Sequence, residues 1–267
     1  MRITTWNVNG IRAAIRKGLD DHVAEIAPDV LLLQEVRAVR EQLPPGWEGL
    51  DDWHVIWNPA EKKGYSGTAI LSRQPLQLNS LDVDKAGDNE GRLIEATVNG
   101  LGIASVYLPS GSSGEHRQRV KDRWMKRFRR WATSRRDDRP FLFGGDLNIA
   151  HTARDIYYAK SNENTSGYLP HERAWFSRLL KSGWHDTTRE YFGDVHGPYS
   201  WWSNRGRARE LDRGWRIDYL MVNSVLKPFV QKVIVHREGG LEVSDHAPVS
   251  VDLKWPIRGG DVSRKQT

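Results

Sequence analysis

The chain has 267 residues, no cysteine, 12 tryptophans and a formal net charge of +6, from 40 Lys and Arg against 34 Asp and Glu. That length buries a sizeable core, and the lack of cysteine excludes disulfides, thiolate metal centres and a cysteine nucleophile. The positive balance suits an anionic partner; with no apolar leader in MRITTWNV and no stretch that could span a membrane, a cytoplasmic protein is expected.

Ile3 to Val8 predicts a first strand, ending at Asn7, Asn9 and Gly10. Ile15, Leu19, Val23 and Ile26 recur at helical spacing and predict one helix stopped by Pro28. Val30 to Leu33 is an apolar strand that runs into Gln34 and Glu35, so a strand–helix–strand unit delivers polar groups to strand termini. Shorter strands are predicted at His54–Trp57, Thr68–Ser72, Arg92–Asn99 and Gly102–Leu108, the last two joined by the hairpin signal Asn99-Gly100. Tyr107 and Ser110 lead into a Gly- and Ser-rich loop. Val120, Trp124, Phe128 and Trp131 then form an apolar stripe on a helix whose many Arg and Lys read as a solvated basic face.

Phe141 to Phe143 predicts a buried strand, with Gly144 and Gly145 turning the backbone sharply before Asp146, Leu147 and Asn148. At strand period Asp146 and Asn148 share one face while Leu147 points into protein. A carboxylate and a carboxamide so placed can orient water, bind a cation, or both; the same pair can equally be an Asx turn that caps the strand. Thr152 to Leu169 is a long polar connection, a length characteristic of functional or disordered loops. A helix over His171–Leu180 turns Trp175, Leu179 and Leu180 inward. The loop Tyr199–Trp215 interleaves Trp201, Trp202 and Trp215 with Arg205, Arg207, Arg209 and Arg213, a mixture suited to a nucleic-acid backbone. Strands at Arg216–Val222, Val230–Val235 and Val249–Lys254 frame Asp218 and the segment SDHAPV. No linker divides the chain, so one domain over 1–255 is expected, followed by a polar tail over 256–267.

Strand ends therefore carry Asn7, Glu35, Asp146 with Asn148, Asp218, and Asp245 with His246. Each has a bland alternative: Glu35 as a helix cap, Asp218 as the partner of a nearby arginine, His246 as a satisfied core histidine. Polar groups at strand end after strand end argue jointly for hydrolysis of a phosphoester. Oxygen donors without thiolates favour a hard cation such as Mg²⁺ or Mn²⁺. A carboxylate can deprotonate water, and a histidine can stabilise charge on phosphorus.

Eight motifs, in order along nearly the whole chain, resemble the exonuclease III-type apurinic/apyrimidinic (AP) endonucleases of the endonuclease/exonuclease/phosphatase superfamily. They are WNVNGIRA from Trp6, LLQE ending at Glu35, GYSGTAILS from Gly64, EGR from Glu90, GDLNIAH from Gly145, SGYLPHER from Ser166, WRIDY from Trp215 and SDHAP from Ser244. The resemblance implies a DNase I-like four-layer α/β sandwich, two mixed sheets packed face to face with helices outside. It implies an enzyme that cuts double-stranded DNA 5′ to abasic sites, with 3′-phosphodiesterase or 3′–5′ exonuclease activity, acting as a monomer near the nucleoid. Glu35 and Asn7 would anchor the metal, with Asp245 as a further carboxylate; some accounts of the family add Asp146, Asn148 and His246. Asp146 would orient or deprotonate water beside Asn148, His246 held by Asp218 would contact the scissile phosphate, and Tyr107 would donate to it. Trp201 and Trp215 would wall a pocket for an extruded sugar, and Asn162 would contact the DNA strand, as would Arg205 by its place in the Trp/Arg loop. Ser110 stands where the family commonly has Asn, Arg37 where Lys is usual, Arg154 at a normally aliphatic position and Asn204 where Tyr is frequent. Two rival readings remain: another phosphoesterase of the superfamily, acting on inositol lipids or sphingomyelin, or a nucleic-acid-binding module without catalysis.

Overall fold

The computed structural model describes the chain apart from residues 45–46, 48–52, 88, 138, 239–241 and 257–267. With strands and helices numbered in chain order, the first sheet contains β1 (Arg2–Asn7), β2 (Val30–Gln34), β3 (His54–Asn58), β4 (Thr68–Ser72), β11 (Val230–Val235) and β12 (Val249–Leu253), in the order β11-β12-β1-β2-β4-β3. The second contains β5 (Leu76–Ser80), β6 (Leu93–Val98), β7 (Leu101–Tyr107), β8 (Phe141–Asp146), β9 (Trp184–Asp186) and β10 (Asp218–Asn223), in the order β5-β6-β7-β8-β10-β9. Each sheet is mixed, with one parallel pair at its centre: β1 with β2, and β7 with β8.

Period-two side-chain alternation explains the layering. Val30 and Leu32 of β2 and Leu142 of β8 share one core between the sheets, with Ile3, Ile103 and Leu220. Leu31 and Leu33 point the other way, onto α1 (Ile11–Arg16) and α2 (Leu19–Ile26), where they meet Ile11, Ala14 and Leu19. On the opposite outer face Phe141 and Phe143 pack against α3 (Glu115–Thr133) and α4 (Pro170–Lys181), through Trp124, Phe128, Trp131, Trp175 and Phe176. A strand buried on both faces must be apolar throughout, as β2 and the start of β8 are. The outcome is helix, sheet, sheet, helix, as expected.

Several sequence expectations need correction. The helix expected around Ile15 to Ile26 is two, broken at Gly18, whose left-handed backbone ends α1 and opens α2. Gly144 and Gly145 form no turn; β8 continues through both to Asp146. A side chain on Gly144 would lie 2.9 Å from Leu32 across the sheet interface, and one on Gly145 would lie 1.8 Å from the Val106 carbonyl. Glycine serves close approach there. The helix α3 hides one of its cations: Lys121 is fully buried. Phe176 joins Trp175 and Leu179 on the inward face of α4, and Leu180 packs against the same core while only partly buried. The long polar connection contains short 3₁₀ turns at Ala153–Asp155 and Lys160–Asn162, and the elements β5, β9 and α5 (Thr187–Phe192) have no counterpart in the sequence reading. Of the expected polar tail, residues 257–267 lie outside the described residues.

One histidine in the first sheet sets an acid sensitivity. His236 Nε2 shares a 2.7 Å hydrogen bond with Ser250 Oγ, which in turn lies 2.7 Å from Thr4 Oγ1. Burial, reinforced by the Arg2 charge and opposed by Asp252, lowers this imidazole to about 4. Its folded pKa thus lies below the ordinary value near 6.5, so the unfolded chain binds the extra proton first. Stability should fall as pH drops from about 6.5 to about 4. Discounted for the ring's partial exposure, the expected contribution is about 1–2 kcal/mol. His236→Gln should flatten that part of the profile in urea unfolding; parallel profiles for the two proteins would exclude the assignment.

Candidate active site

Register builds half the site. Tyr107 of β7 is the partner of Asp146 of β8, and Asp146 is the partner of Asp218 of β10, so all three occupy one row across the second sheet. Residues on one row project from the same face. The first sheet supplies the other half: Asn7 ends β1, Glu35 follows β2, and Asp245 and His246 precede β12. The site lies over the place where the central strands of the two sheets meet.

His246 is almost completely buried and its Nδ1 lies 2.9 and 3.1 Å from the two Asp218 oxygens. Ser200 Oγ donates to Asp218 Oδ2 at 2.6 Å and accepts from the backbone N–H groups of Ile217 and Asp218, fixing that carboxylate. The other ring nitrogen, Nε2, stands 4.0 Å from Asp146 Oδ2. Burial alone would keep His246 neutral, but Asp218 above all, with Asp146 and Asp245, lifts it to about 10. Burial pushes the Asp146 carboxyl up to about 7; the His246 charge resists that rise, while Asp218 and Glu35 add to it. At neutral pH the imidazole is thus a cation with one N–H free to donate, and Asp146 sits where a proton acceptor works best.

Asp146 is held from two sides. Its Oδ1 accepts the backbone N–H of Asn148 at 2.7 Å, and its Oδ2 accepts from Asn7 Nδ2 at 3.0 Å and Asn148 Nδ2 at 3.2 Å. The Asx turn allowed by the sequence is therefore real and coexists with the site. Asn148 does not continue the strand; its backbone is left-handed (φ 50°), and its amide also donates to the Leu108 carbonyl at 2.9 Å. Lys121 Nζ donates 2.9 Å to the Asn148 carbonyl and 2.5 Å to Glu172, a wholly buried ion pair beneath the site.

Glu35 adopts a left-handed backbone (φ 52°) that swings its carboxylate into the cleft. Its Oε1 accepts from Asn7 Nδ2 at 3.1 Å and Tyr107 Oη at 2.6 Å, and its Oε2 pairs with Arg37. One amide, that of Asn7, thus ties the carboxylates of Glu35 and Asp146 together. Two hard carboxylate oxygens gathered on one amide, with Asp146 repelled by Glu35, fit a divalent cation with oxygen preference. Asp146, Asp218 and His246 also converge to within 4.8 Å. Both Asp218 oxygens, however, already serve His246 or Ser200, which argues for a positioning role there. Asp245 is held by Asn9 Nδ2 at 2.8 Å and Trp201 Nε1 at 3.1 Å; burial is outweighed by the His246 charge and these bonds, and its carboxyl is lowered.

These groups border a cavity of about 440 Å³. Glu35, Tyr107, Ser110, Asp146, Asn148, Trp201, Trp215, Asp245 and His246 all line it, while Asn7 and Asp218 stand directly behind. Trp201 and Trp215 meet edge to face, ring centres 6.1 Å apart, as one wall. Ser110, in the lining, makes a 2.9 Å hydrogen bond to Ser112. Asn162 and Arg205 are not in the lining: Asn162 donates to the Tyr158 carbonyl at 2.8 Å, and Arg205 is exposed on the Trp/Arg loop. The sequence reading missed Asn9, Ser200 and Lys121. Asn9 could have been inferred from WNVNG, but nothing marks Ser200 or Lys121 in the sequence.

A buried proton acceptor, an imidazolium oriented by a second carboxylate and a separate cluster of oxygen donors define a hydrolytic site for phosphoesters on a two-sheet α/β sandwich. The chain belongs to the endonuclease/exonuclease/phosphatase family, which it matches over residues 4–246. It is 37% identical to the exodeoxyribonuclease of Bacillus subtilis, with 94% of this chain and 98% of that protein aligned. To a DNA-(apurinic or apyrimidinic site) endonuclease of Dictyostelium discoideum it is 33% identical, covering 94% of this chain and 70% of the relative. Its structure is similar to that of the 3′ phosphatase NExo from Neisseria bound to a product DNA hairpin, with a TM-score of 0.87, 28% identity, and coverage of 96% and 100% of the two chains.

Proposed function

We propose that the protein is a DNA-repair nuclease that hydrolyses the phosphodiester 5′ to an abasic site, in a reaction dependent on Mg²⁺ or Mn²⁺, and that it also trims 3′ ends. The observation that carries this reading is the 4.0 Å gap between Asp146 Oδ2 and His246 Nε2, which brings a proton acceptor and a cationic donor to bear on one small volume. The nuclease names of relatives that match nearly the whole chain support the same reading.

The scissile phosphate would lie across the mouth of that gap, within reach of both groups. His246 donates Nε2–H to a non-bridging oxygen and offsets the charge that builds on phosphorus. Asp146 takes the proton of the attacking water, which Asn148 helps to align. Asp218 keeps the imidazolium in register by accepting Nδ1–H. Tyr107, which donates to Glu35 in this structure, is within the same row and is the hydroxyl suited to a second phosphate contact. A cation held by Glu35, Asn7 and Asp146 would supply Lewis-acid stabilisation of the phosphate. Further proposed contacts are Asp245 on the metal side, and Ser110, Asn162 and Arg205 along the DNA. A chain acting as a monomer, in one domain over 1–255 and in the cytoplasm with the nucleoid, is consistent with the packed pair of sheets and the positive charge.

Selectivity is assigned to Trp201 and Trp215. A baseless sugar is smaller than a nucleotide and costs less stacking to extrude, so a tight aromatic wall favours it twice. A duplex with one abasic site should be cut in Mg²⁺ and left intact in EDTA, with an undamaged duplex cut far more slowly. Trp201→Ala and Trp215→Ala should narrow that ratio. Cleavage in excess EDTA would remove the metal role, and equal cutting of both duplexes by the wild type would remove abasic specificity.

A further inference from the structure

The long polar loop carries a feature that hydrolysis does not require. Tyr157 and Tyr158 are adjacent, 47% and 49% exposed, and pack edge to face with ring centres 4.7 Å apart. Exposed neighbouring aromatics are costly to leave in water without a purpose, and these two make no side-chain hydrogen bond among the described residues. The guanidinium of Arg213 lies 5.9 and 5.7 Å from their ring centres. Arg213 makes no ion pair among the described residues, and its Nε is buried without a partner. Two rings and a cation held against them without an ion pair among the described residues therefore form one small surface.

That surface is wired to the active site by backbone pairing. Ile156 pairs with Trp215, Trp215 with Trp201, and Trp201 with His246, each antiparallel. The Tyr157 N–H continues the ladder by donating to the Gly214 carbonyl at 3.0 Å. Three cross-strand steps of about 5 Å span at most roughly 15 Å from His246. At about 3.4 Å per stacked nucleotide, that is some four nucleotides along a DNA strand.

We propose that Tyr157, Tyr158 and Arg213 form a stacking step that receives an unpaired base of the DNA strand running away from the scissile phosphate. The rings supply a π-face that accepts any base, and Arg213 supplies charge for the adjoining phosphate. This inference rests on the nuclease reading and extends it: DNA with a frayed or single-stranded segment beside the cleavage point is held more tightly than a fully paired end. A solvated, functionless tyrosine pair would give no such preference.

The test measures binding of fluorescent oligonucleotides to the full chain in EDTA, comparing a blunt duplex with the same duplex carrying a short unpaired segment at its end. Wild type should favour the frayed probe. Tyr157→Ala with Tyr158→Ala should lose roughly 5- to 150-fold in affinity for the frayed probe, the usual effect of removing a stacked base's platform, and little for the blunt one. The Phe counterparts should retain the preference, because they keep the rings. Arg213→Ala should lower the salt dependence of binding by about one ion. Unchanged discrimination in the double Ala variant, or its loss in the Phe variant, would overturn the stacking step while leaving the nuclease reading intact. A wild type that binds neither probe and cuts no DNA would overturn both.

Discussion

Asp146→Asn should slow single-turnover cleavage of an abasic duplex by about 10²–10⁴-fold while the protein stays folded and binds DNA nearly as before. The substitution leaves a single amide oxygen, which can keep either the Asn148 backbone N–H that Oδ1 accepts or the Asn7 amide that Oδ2 accepts, so part of the anchoring remains. What it removes is the proton acceptor. Because burial raises the Asp146 carboxyl to about 7, the active, ionised form should fill as pH rises through that value. Wild-type rates should therefore climb across pH 6–8, and the variant should lose that limb. Its melting temperature should hold or rise, as a buried carboxylate is replaced by a neutral group. His246→Gln should cost about 10²–10³-fold, the effect of removing one charge-stabilising donor. If Asp146→Asn cleaves within a few-fold of wild type across this range, Asp146 is not the acceptor.

Lys121→Met should destabilise the fold by about 3–5 kcal/mol, the penalty for stranding one partner of a buried pair. Glu172 would remain wholly enclosed with its charge, supported among the described residues by Gln118 Nε2 at 3.0 Å and the N–H groups of Gly167 and Leu169 at 2.7 and 3.0 Å. Pairing the change with Glu172→Gln should recover much of the loss, because the charge goes too. Burial already depresses the Lys121 pKa against the pull of Glu172, so the pair is under electrostatic load in the native chain. The Asn148 carbonyl also loses its 2.9 Å donor, so the rescued double variant should remain slower in cleavage although stable. Urea unfolding and single-turnover rates on the same preparations separate the two effects. A single-variant loss below about 1 kcal/mol would show that Glu172 finds solvent or another donor.

The contrast between these two sites explains what the sequence made legible. Asp146, Glu35, Asp218 and His246 each interrupt or follow an apolar run, and a polar residue at that point is visible without coordinates. That Tyr107, Asp146 and Asp218 share one row is not visible, because it depends on register between residues 39 and 72 positions apart in the chain. Lys121 sits among arginines on a helix whose outer face is basic, so nothing in its neighbourhood hints at burial. Gly144 and Gly145 misled for a related reason: glycine signals either a turn or a close approach, and only the neighbouring Leu32 and Val106 decide which. The break at Gly18 was missed because apolar spacing continues across it, and β5 because LQLNS is an edge strand, largely exposed, with little to bury. Asn162 and Arg205 followed from position and loop composition, neither of which fixes how far a side chain stands from the cavity.

The catalytic groups come in two sets, one on each sheet, joined by the Asn7 amide, by the Tyr107–Glu35 and His246–Asp218 hydrogen bonds, and by the short gap between Asp146 and His246. The cationic imidazole comes from the first sheet and the proton acceptor from the second. Turnover is therefore a property of the mated halves, and it reports directly on how they are seated. Small changes at Leu32, Leu142 or Gly144, far from any phosphate, shift the halves against each other as one would shift the jaws of a vice. A partly opened molecule, with every strand still formed but the two sheets unseated, would be chemically silent.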